Sequence, residues 1–338
     1  MIKALSNAPL PSSKSAVLLA ESLVWDNHGC MPLRAQDESF LPQLLRYRDS
    51  GVNVVTLNVG FDAVPWENTF SMLAHFRRWL GERPQDYLLV NTVADIDAAR
   101  SSGRLGVLFD IEGGSSLNGD LSKVEAFYHL GVRWMLIAYN RNNLLGGGCQ
   151  DDDQGLTAFG RKVVDEMARV GMVVCCTHTG YRTTMDVMER SANPVIFSHS
   201  NPLGVWRHRR NIRDEAIKAC AASGGVVGIN GIGFFLGKND SSSDTFVRHI
   251  DYVVQLVGPN HVGLGLDYVF DEQELAEFVL ENPHLFPSAE YGDGRPALVR
   301  PEQIPEITEG LVRLGYTTAD LQAILGGNHL RVARQVWR

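Results

Sequence analysis

Short, almost continuously apolar runs alternate along this chain with longer segments of helical period. Such runs are typical of strands covered on both faces, as in a parallel sheet. They fall at residues 23–28, 52–59, 105–111, 132–138, 172–177, 194–198, 225–230 and 262–267. Eight buried strands alternating with helices predict an α/β fold of the (β/α)8 TIM barrel type. A ninth candidate strand at residues 87–93 and a doubly wound open sheet are the competing interpretations.

The segments between the runs carry apolar residues at helical spacing. Residues 159–171 (FGRKVVDEMARVG) end on a glycine that can stop a helix, and residues 121–131 follow the same pattern. Residues 271–301 are rich in Pro, Gly and acidic residues, so we expect a long loop over the mouth of the barrel, either a lid or a surface loop. We expect a closing pair of helices at residues 317–337.

Neither a linker nor an internal repeat divides the sequence. We therefore expect one barrel domain over residues 1–338, with a C-terminal helical extension at about 302–338. The net charge of −8 has no basic run, which disfavours nucleic acid and anionic membrane surfaces as partners. The apolar run near the N-terminus is too short for a signal peptide, and the five cysteines show no metal-type CxxC spacing. These features favour a cytoplasmic protein with mostly reduced, buried thiols.

Polar side chains that commonly bind metals stand at or just past the ends of five of the apolar runs: His28, Glu112, His178, His199 and Asp267. The carboxyl ends of barrel strands meet at one rim, so we expect these side chains to converge there. Imidazoles with a carboxylate suit Zn²⁺ or a similar ion, and Asp267 could serve as a general base or proton shuttle. Taken singly, Glu112 could pair with an arginine and His28 could be a structural histidine.

The chain resembles a known family, the membrane (renal) dipeptidases, zinc peptidase family M19, which are amidohydrolase-like barrels. The resemblance runs from about Val24 to Val332. It is carried by DNHGCMP, IEGG, LGVRWMLIAYNRNN, QGLTAFGRKVVDEMARVG, THTG, PVIFSHS, HRRNIRD, GLGLDY and GGNHLRV. It implies a barrel with two metal ions, usually zinc, and hydrolysis of dipeptides by water activated at the metals. The family is often dimeric, so a homodimer is an expected assembly.

The resemblance also implies roles for particular residues. Glu112 matches the carboxylate that bridges two metals, His178 and His199 match the ligands of one metal, and His28 matches a ligand of the other. Asp267 matches the residue that handles protons. Arg210 falls where the family holds the carboxylate of the substrate, a task suited to the bidentate guanidinium group, with Arg209 as a weaker candidate.

Two positions depart from the family pattern. The first motif of the family reads DGHND, whereas this chain has Asp26-Asn27-His28-Gly29-Cys30, so Cys30 stands where a metal-ligating Asp is expected. A thiolate binds zinc well, so Cys30 either replaces that ligand or leaves a single metal on Glu112, His178 and His199. Tyr139 aligns with the histidine that polarises the scissile carbonyl, and its phenol could donate a hydrogen bond to an oxyanion.

The sequence therefore predicts a metallohydrolase that cleaves an amide bond in a dipeptide or a similar small substrate with a free carboxylate. A different amidohydrolase specificity, for an N-acyl amino acid or a lactam, is the alternative among enzymes. A catalytically silent barrel that binds a small ligand is the alternative from another class.

Overall fold

The computed structural model describes residues 13–338. Its strands are β1 Trp25–Cys30, β2 Val54–Phe61, β3 Tyr87–Leu89, β4 Leu105–Glu112, β5 Val132–Leu136, β6 Val173–Cys175, β7 Val195–Ile196, β8 Val227–Ile229, β9 Val262–Leu264 and β10 Tyr268–Val269. Its α-helices are α1 Ser13–Glu21, α2 Leu45–Asp49, α3 Trp66–Gly81, α4 Val93–Ser102, α5 Lys123–His129, α6 Ala158–Val170, α7 Tyr181–Arg190, α8 Asp214–Ala222, α9 Gly233–Leu236, α10 Ser243–Val257, α11 Glu272–Glu281, α12 Ser288–Tyr291, α13 Ile304–Arg313, α14 Thr318–Gln322 and α15 Asn328–Val336.

Eight parallel strands form the barrel, in the order β7-β6-β5-β4-β2-β1-β9-β8. A parallel bridge between Phe197 and Val227 joins the two ends of this series. The barrel strands coincide with the eight predicted runs, and every residue of β4 is buried. The prediction of a (β/α)8 barrel is thus confirmed, and the open sheet is excluded.

The ninth candidate strand is partly right. Within this run, the strand is limited to Tyr87–Leu89, which pairs with the start of β4 outside the barrel series. From Thr92 onward the chain turns helical because Thr92 and Asp95 form a reciprocal capping box at the start of α4. The predicted run at 87–93 therefore contains a strand end and a helix start.

The predicted helices at 121–131 and 159–171 are confirmed as α5 and α6. Thr157 caps α6 by accepting a hydrogen bond from the backbone of Gly160, and Gly171 ends it with a φ of 91°. The expected closing pair corresponds to α14 and α15, which are joined through Ala323–Gly327, where the backbone is kinked at Gly326.

The prediction for residues 271–301 is partly right. The segment lies over the mouth of the barrel, where Phe278 and Phe286 line the same cavity as Glu112, but it contains α11 and α12 and is not a continuous loop. Acidic residues of this segment stabilise the start of a helix. Asp271 caps α11 by accepting a hydrogen bond from the backbone of Glu274, and Glu272 and Glu274 lie in the first turn, where the helix dipole favours negative charge.

Of the N-terminal segment considered above for a signal peptide, residues 1–12 lie outside the described residues, and its apolar run at residues 16–20 lies in α1. Over residues 13–338, no helix combines the length and the apolar character that crossing a membrane requires.

Two glycines let the backbone close tightly where β7 meets β8 and β9. A Cβ atom at Gly228 would lie 2.1 Å from the backbone oxygen of Ser198, and one at Gly265 would lie 2.0 Å from the same atom. Ser198 directly precedes His199, so this contact fixes the path of the chain at the rim of the barrel.

We predict that Gly228→Ala lowers the free energy of unfolding by about 1–3 kcal/mol or more, because the added methyl group displaces packed backbone. Chemical denaturation measures this change. Gly81→Ala is the matched control: Gly81 is the last residue of α3 and nothing lies within 4 Å of its added Cβ. It should be neutral or stabilising by up to about 1 kcal/mol. Equal destabilisation by both substitutions would contradict the close approach of Gly228 to the backbone of Ser198.

Candidate metal centre

The polar residues at the strand ends meet at the carboxyl-terminal rim of the barrel. Strand β1 carries His28 and Cys30, and β4 ends on Glu112. His178, His199 and Asp267 follow β6, β7 and β9 within three residues. Because strand side chains alternate, residues two apart on one strand point to the same side.

Glu112 lies at the centre of the group. Its Oε1 is 3.1 Å from His199 Nε2, 3.3 Å from His28 Nε2 and 3.6 Å from His178 Nε2. This oxygen is buried and has no hydrogen-bond partner. Burial raises the pKa of the Glu112 carboxyl from 4.5 to about 8, despite the lowering effect of His28.

Cys30 and Asp267 extend the group on the side of His28. Cys30 Sγ lies 3.3 Å from His28 Nε2 and 3.5 Å from Asp267 Oδ1. Asp267 Oδ1 is 3.5 Å from His28 Nε2, and its other oxygen accepts a hydrogen bond from Asn230 Nδ2 at 2.8 Å. Two overlapping sets of possible ligands result, one of His28, Glu112 and His199 and one of His28, Cys30 and Asp267.

Each imidazole is oriented by a partner on its Nδ1 atom. His28 Nδ1 donates to Asp110 Oδ2 at 3.0 Å, and Asp110 Oδ1 accepts a second hydrogen bond from Asn58. His199 Nδ1 donates at 2.9 Å to Ser198 Oγ, which itself donates to Thr177. A donating Nδ1 leaves the Nε2 lone pair free to bind a cation.

The third imidazole is held by Asn140. Asn140 Nδ2 donates to the backbone oxygen of Leu285, so its Oδ1 faces His178 Nδ1 at 2.7 Å. His178 Nε2 then points at His199 Nε2, 3.2 Å away. Burial, followed by the charge of Arg210, holds the pKa of His178 well below 6.5.

Burial likewise lowers the pKa of His199, with a further contribution from the His28 charge. The pKa of His28 moves the other way: burial alone would lower it, but Cys30, Asp110 and Glu112 together raise it well above 6.5. Two imidazoles that burial keeps neutral therefore present their Nε2 atoms to a buried carboxylate oxygen. This donor set fits a divalent cation, because a cation satisfies the lone pairs and the carboxylate together.

Three of these residues have left-handed backbone conformations. The φ angles are 58° at Asn140, 59° at His178 and 57° at Asp267. Non-glycine residues adopt this region at an energetic cost, and such strain concentrates at functional sites. Here the three left-handed residues follow the ends of β5, β6 and β9 within four residues.

Tyr139 and Arg210 flank His178 on different sides. The Tyr139 ring stacks on the His178 ring with a centroid distance of 4.1 Å, and burial raises the pKa of its phenol. Arg210 is buried, its Nε lies 3.0 Å from His178 Nδ1, and its terminal nitrogens donate to the backbone oxygen of His199 and to Ser200 Oγ. Arg209 is exposed at the surface and pairs with Glu290.

The sequence interpretation missed the residues that orient the site, namely Asp110, Asn140, Ser198 and Asn230. Asp110 had a readable signal, because it precedes Glu112 by two residues on one strand and so shares its face. Asn140 and Asn230 follow strand ends as the candidate ligands do. Their contacts arise between distant segments, which periodicity does not reveal.

This chain is similar to known dipeptidases in sequence. The family model for membrane dipeptidases, peptidase family M19, matches residues 38–287, a range that leaves His28 and Cys30 outside. An uncharacterized dipeptidase of Schizosaccharomyces pombe is 30% identical over 210 residues, which are 60% of this chain and 50% of that protein. The chain thus matches about half the length of this relative.

Among solved structures, an amidohydrolase from Pseudomonas aeruginosa is 28% identical, with a TM-score of 0.86 over 96% of this chain and 99% of that one. A metallopeptidase from Rhodobacter sphaeroides, liganded with a phosphinate mimic of the dipeptide L-Ala-D-Ala, is 19% identical, with a TM-score of 0.78 over 94% of this chain and 100% of that one. The second likeness concerns the fold alone. With its family model matched across most of the barrel, this chain belongs to the membrane dipeptidase family, peptidase family M19.

Proposed function

We propose that this protein is a metal-dependent hydrolase that cleaves the amide bond of dipeptides or similar small substrates bearing a carboxylate. One observation carries the proposal: the buried Glu112 Oε1 has no hydrogen-bond partner and lies within 3.6 Å of three imidazole nitrogens. An orphaned carboxylate oxygen in that position costs several kcal/mol unless a cation compensates it.

The metal we propose is zinc, in agreement with the ligand chemistry of imidazole, carboxylate and thiol groups. Glu112, His178 and His199 would hold one ion, and His28, Cys30 and Glu112 would hold a second. A bound zinc ion supplies Lewis acidity and lowers the pKa of a water molecule toward neutrality. If Cys30 fails as a ligand, a single ion on the first set remains.

The protein residues around the metals would orient the substrate and move the proton. Asp267 is the carboxylate that faces both Cys30 and the cavity, so its Oδ1 would take a proton from the attacking water molecule and pass it to the leaving amine. The phenol of Tyr139 lines the same cavity and would donate a hydrogen bond to the carbonyl oxygen. Arg210 would bind the free carboxylate of the substrate.

We predict that the purified protein hydrolyses members of a dipeptide panel, that chelation abolishes the activity, and that added zinc restores it. Glu112→Gln should lower kcat by at least about 100-fold, because the shared ligand charge is lost. Glu125→Gln is the matched control, since Glu125 lies exposed on α5. Hydrolysis that survives chelation would refute metal dependence. A zinc-loaded protein inactive on dipeptides, N-acyl amino acids and lactams would instead favour the silent barrel.

A second prediction concerns Cys30 as a ligand. In a Cys149→Ser background, Cys30 is the one remaining cysteine of residues 13–338 that is not fully buried. Its alkylation, followed by mass spectrometry, should be at least about tenfold slower in zinc-loaded than in chelated protein, because coordination occupies the sulfur lone pair. Equal alkylation rates in the two states would rule out ligation by Cys30.

A third prediction concerns Arg210. Arg210→Ala should lower kcat/KM for a dipeptide by about 10–100-fold, the value of a charged hydrogen-bonded pair. For the dipeptide amide, which lacks the carboxylate, Arg210→Ala should lower kcat/KM much less. A loss caused only by the contact of Arg210 with His178 would affect both substrates equally, so the comparison isolates carboxylate binding. Arg209→Ala serves as the control. Equal losses on both substrates would remove Arg210 from carboxylate binding.

A further inference from the structure

A cavity of about 260 Å³ opens beside the metal centre and is mostly apolar. Glu112, His178, Cys30 and Asp267 form its polar floor. Among the described residues that line the rest of it, apolar and aromatic side chains predominate, and none is a lysine or arginine. A cavity with one polar end and apolar walls is the common form of a small-molecule site.

Aromatic rings form a continuous wall from the metal centre into this cavity. Tyr139, stacked on His178, lies 5.1 Å from the Phe61 ring. Phe61 meets Phe278 edge-on at 5.5 Å, and Phe278 meets Phe286 at 5.8 Å. Edge-to-face contacts of this kind leave ring faces and edges available to another aromatic group.

The wall is anchored to the barrel. Phe278 lies on α11, and Arg34 binds the start of that helix through Asp271 at 3.1 Å and Glu274 at 2.8 Å. Asn140, which also orients His178, donates to the backbone oxygen of Leu285 next to Phe286. The cavity is therefore preformed, so a ligand would not have to order its walls.

The charges around the cavity decide which part of a substrate fits it. Away from the metal centre, a carboxylate in this cavity would find no lysine or arginine in the lining and would lie near the carboxylate of Glu274, which is paired with Arg34. Arg210 instead lines a neighbouring cavity of about 420 Å³, which shares His178 with the first. Arg210, which would bind the carboxylate of the substrate, and the apolar cavity thus lie on different sides of His178.

We propose that the apolar cavity binds the acyl side of the substrate and selects a large apolar group there, preferably an aromatic one. This inference rests on the proposed function, in which Arg210 binds the carboxylate on the amine side. Two kinds of substrate share the chemistry: a dipeptide with an aromatic amino-terminal residue, and an amino acid acylated with an aromatic acid. Phe61, Phe278 and Phe286 would determine the preference.

The test compares kcat/KM of the zinc-loaded protein for phenylalanyl-alanine against alanyl-alanine, and for N-phenylacetyl-alanine against N-acetyl-alanine. Burial of a phenyl group predicts a preference of at least about tenfold for the aromatic member of whichever pair is hydrolysed. The pair that is hydrolysed shows whether the substrate is a dipeptide or an N-acyl amino acid. An equal or greater kcat/KM for the small member of that pair would overturn the proposal.

Substitutions on α11 test whether the cavity wall determines the preference for an aromatic substrate. Phe278→Ala should reduce the aromatic-to-small ratio by about fivefold or more, because it removes one ring of the wall. Leu280→Ala is the matched control: Leu280 is on the same helix, 58% exposed, and does not line the cavity. A ratio unchanged by Phe278→Ala, with the protein folded by circular dichroism, would contradict the assignment of the wall.

A binding measurement separates this proposal from the hydrolase proposal. If the zinc-loaded protein hydrolyses none of the four compounds, the hydrolase proposal fails on these substrates, and calorimetry then compares the binding of N-phenylacetyl-alanine with that of N-acetyl-alanine. Binding of the aromatic compound at least about tenfold tighter supports the apolar subsite. Equal binding, or no binding of either compound, overturns it.

Discussion

The central constraint on this structure is the burial of a carboxylate among three imidazole nitrogens at the rim of the barrel. Glu112 Oε1 lies within 3.6 Å of His28, His178 and His199, and none of them satisfies it by a hydrogen bond. Apolar strands must carry these groups inward, and the left-handed backbone at His178 adds strain. Burying an unpaired carboxylate is costly, and a divalent cation bound among these groups would offset that cost.

The surrounding residues commit the site to this role. Asp110 and Ser198 contact the Nδ1 atoms of His28 and His199, and Asn140 Oδ1 and Arg210 Nε both contact Nδ1 of His178, so all three Nε2 atoms face the centre. Asn140 also holds the segment that carries the aromatic wall of the cavity. Through Asn140, the hydrogen bonds that orient a proposed metal ligand also connect it to the segment that lines the apolar cavity.

The barrel and the convergence of its ligands follow from the sequence because both depend on local patterns. Each strand is a buried run, and each of His28, Glu112, His178, His199 and Asp267 stands where such a run ends. The helix at 272–281 was missed because its carboxylates resemble loop composition while acting as a cap and a first turn. The orienting contacts were missed because they join segments far apart in the chain, as Asn140 joins Leu285.

The most direct test of the metal centre is the metal content per chain, measured by elemental analysis of protein purified without chelators or metal-affinity resin and then dialysed against zinc. We predict at least one tightly bound equivalent of zinc, held by Glu112, His178 and His199, and two equivalents if Cys30 completes the second site. Protein that retains no metal after zinc has been offered would contradict the proposed metal centre.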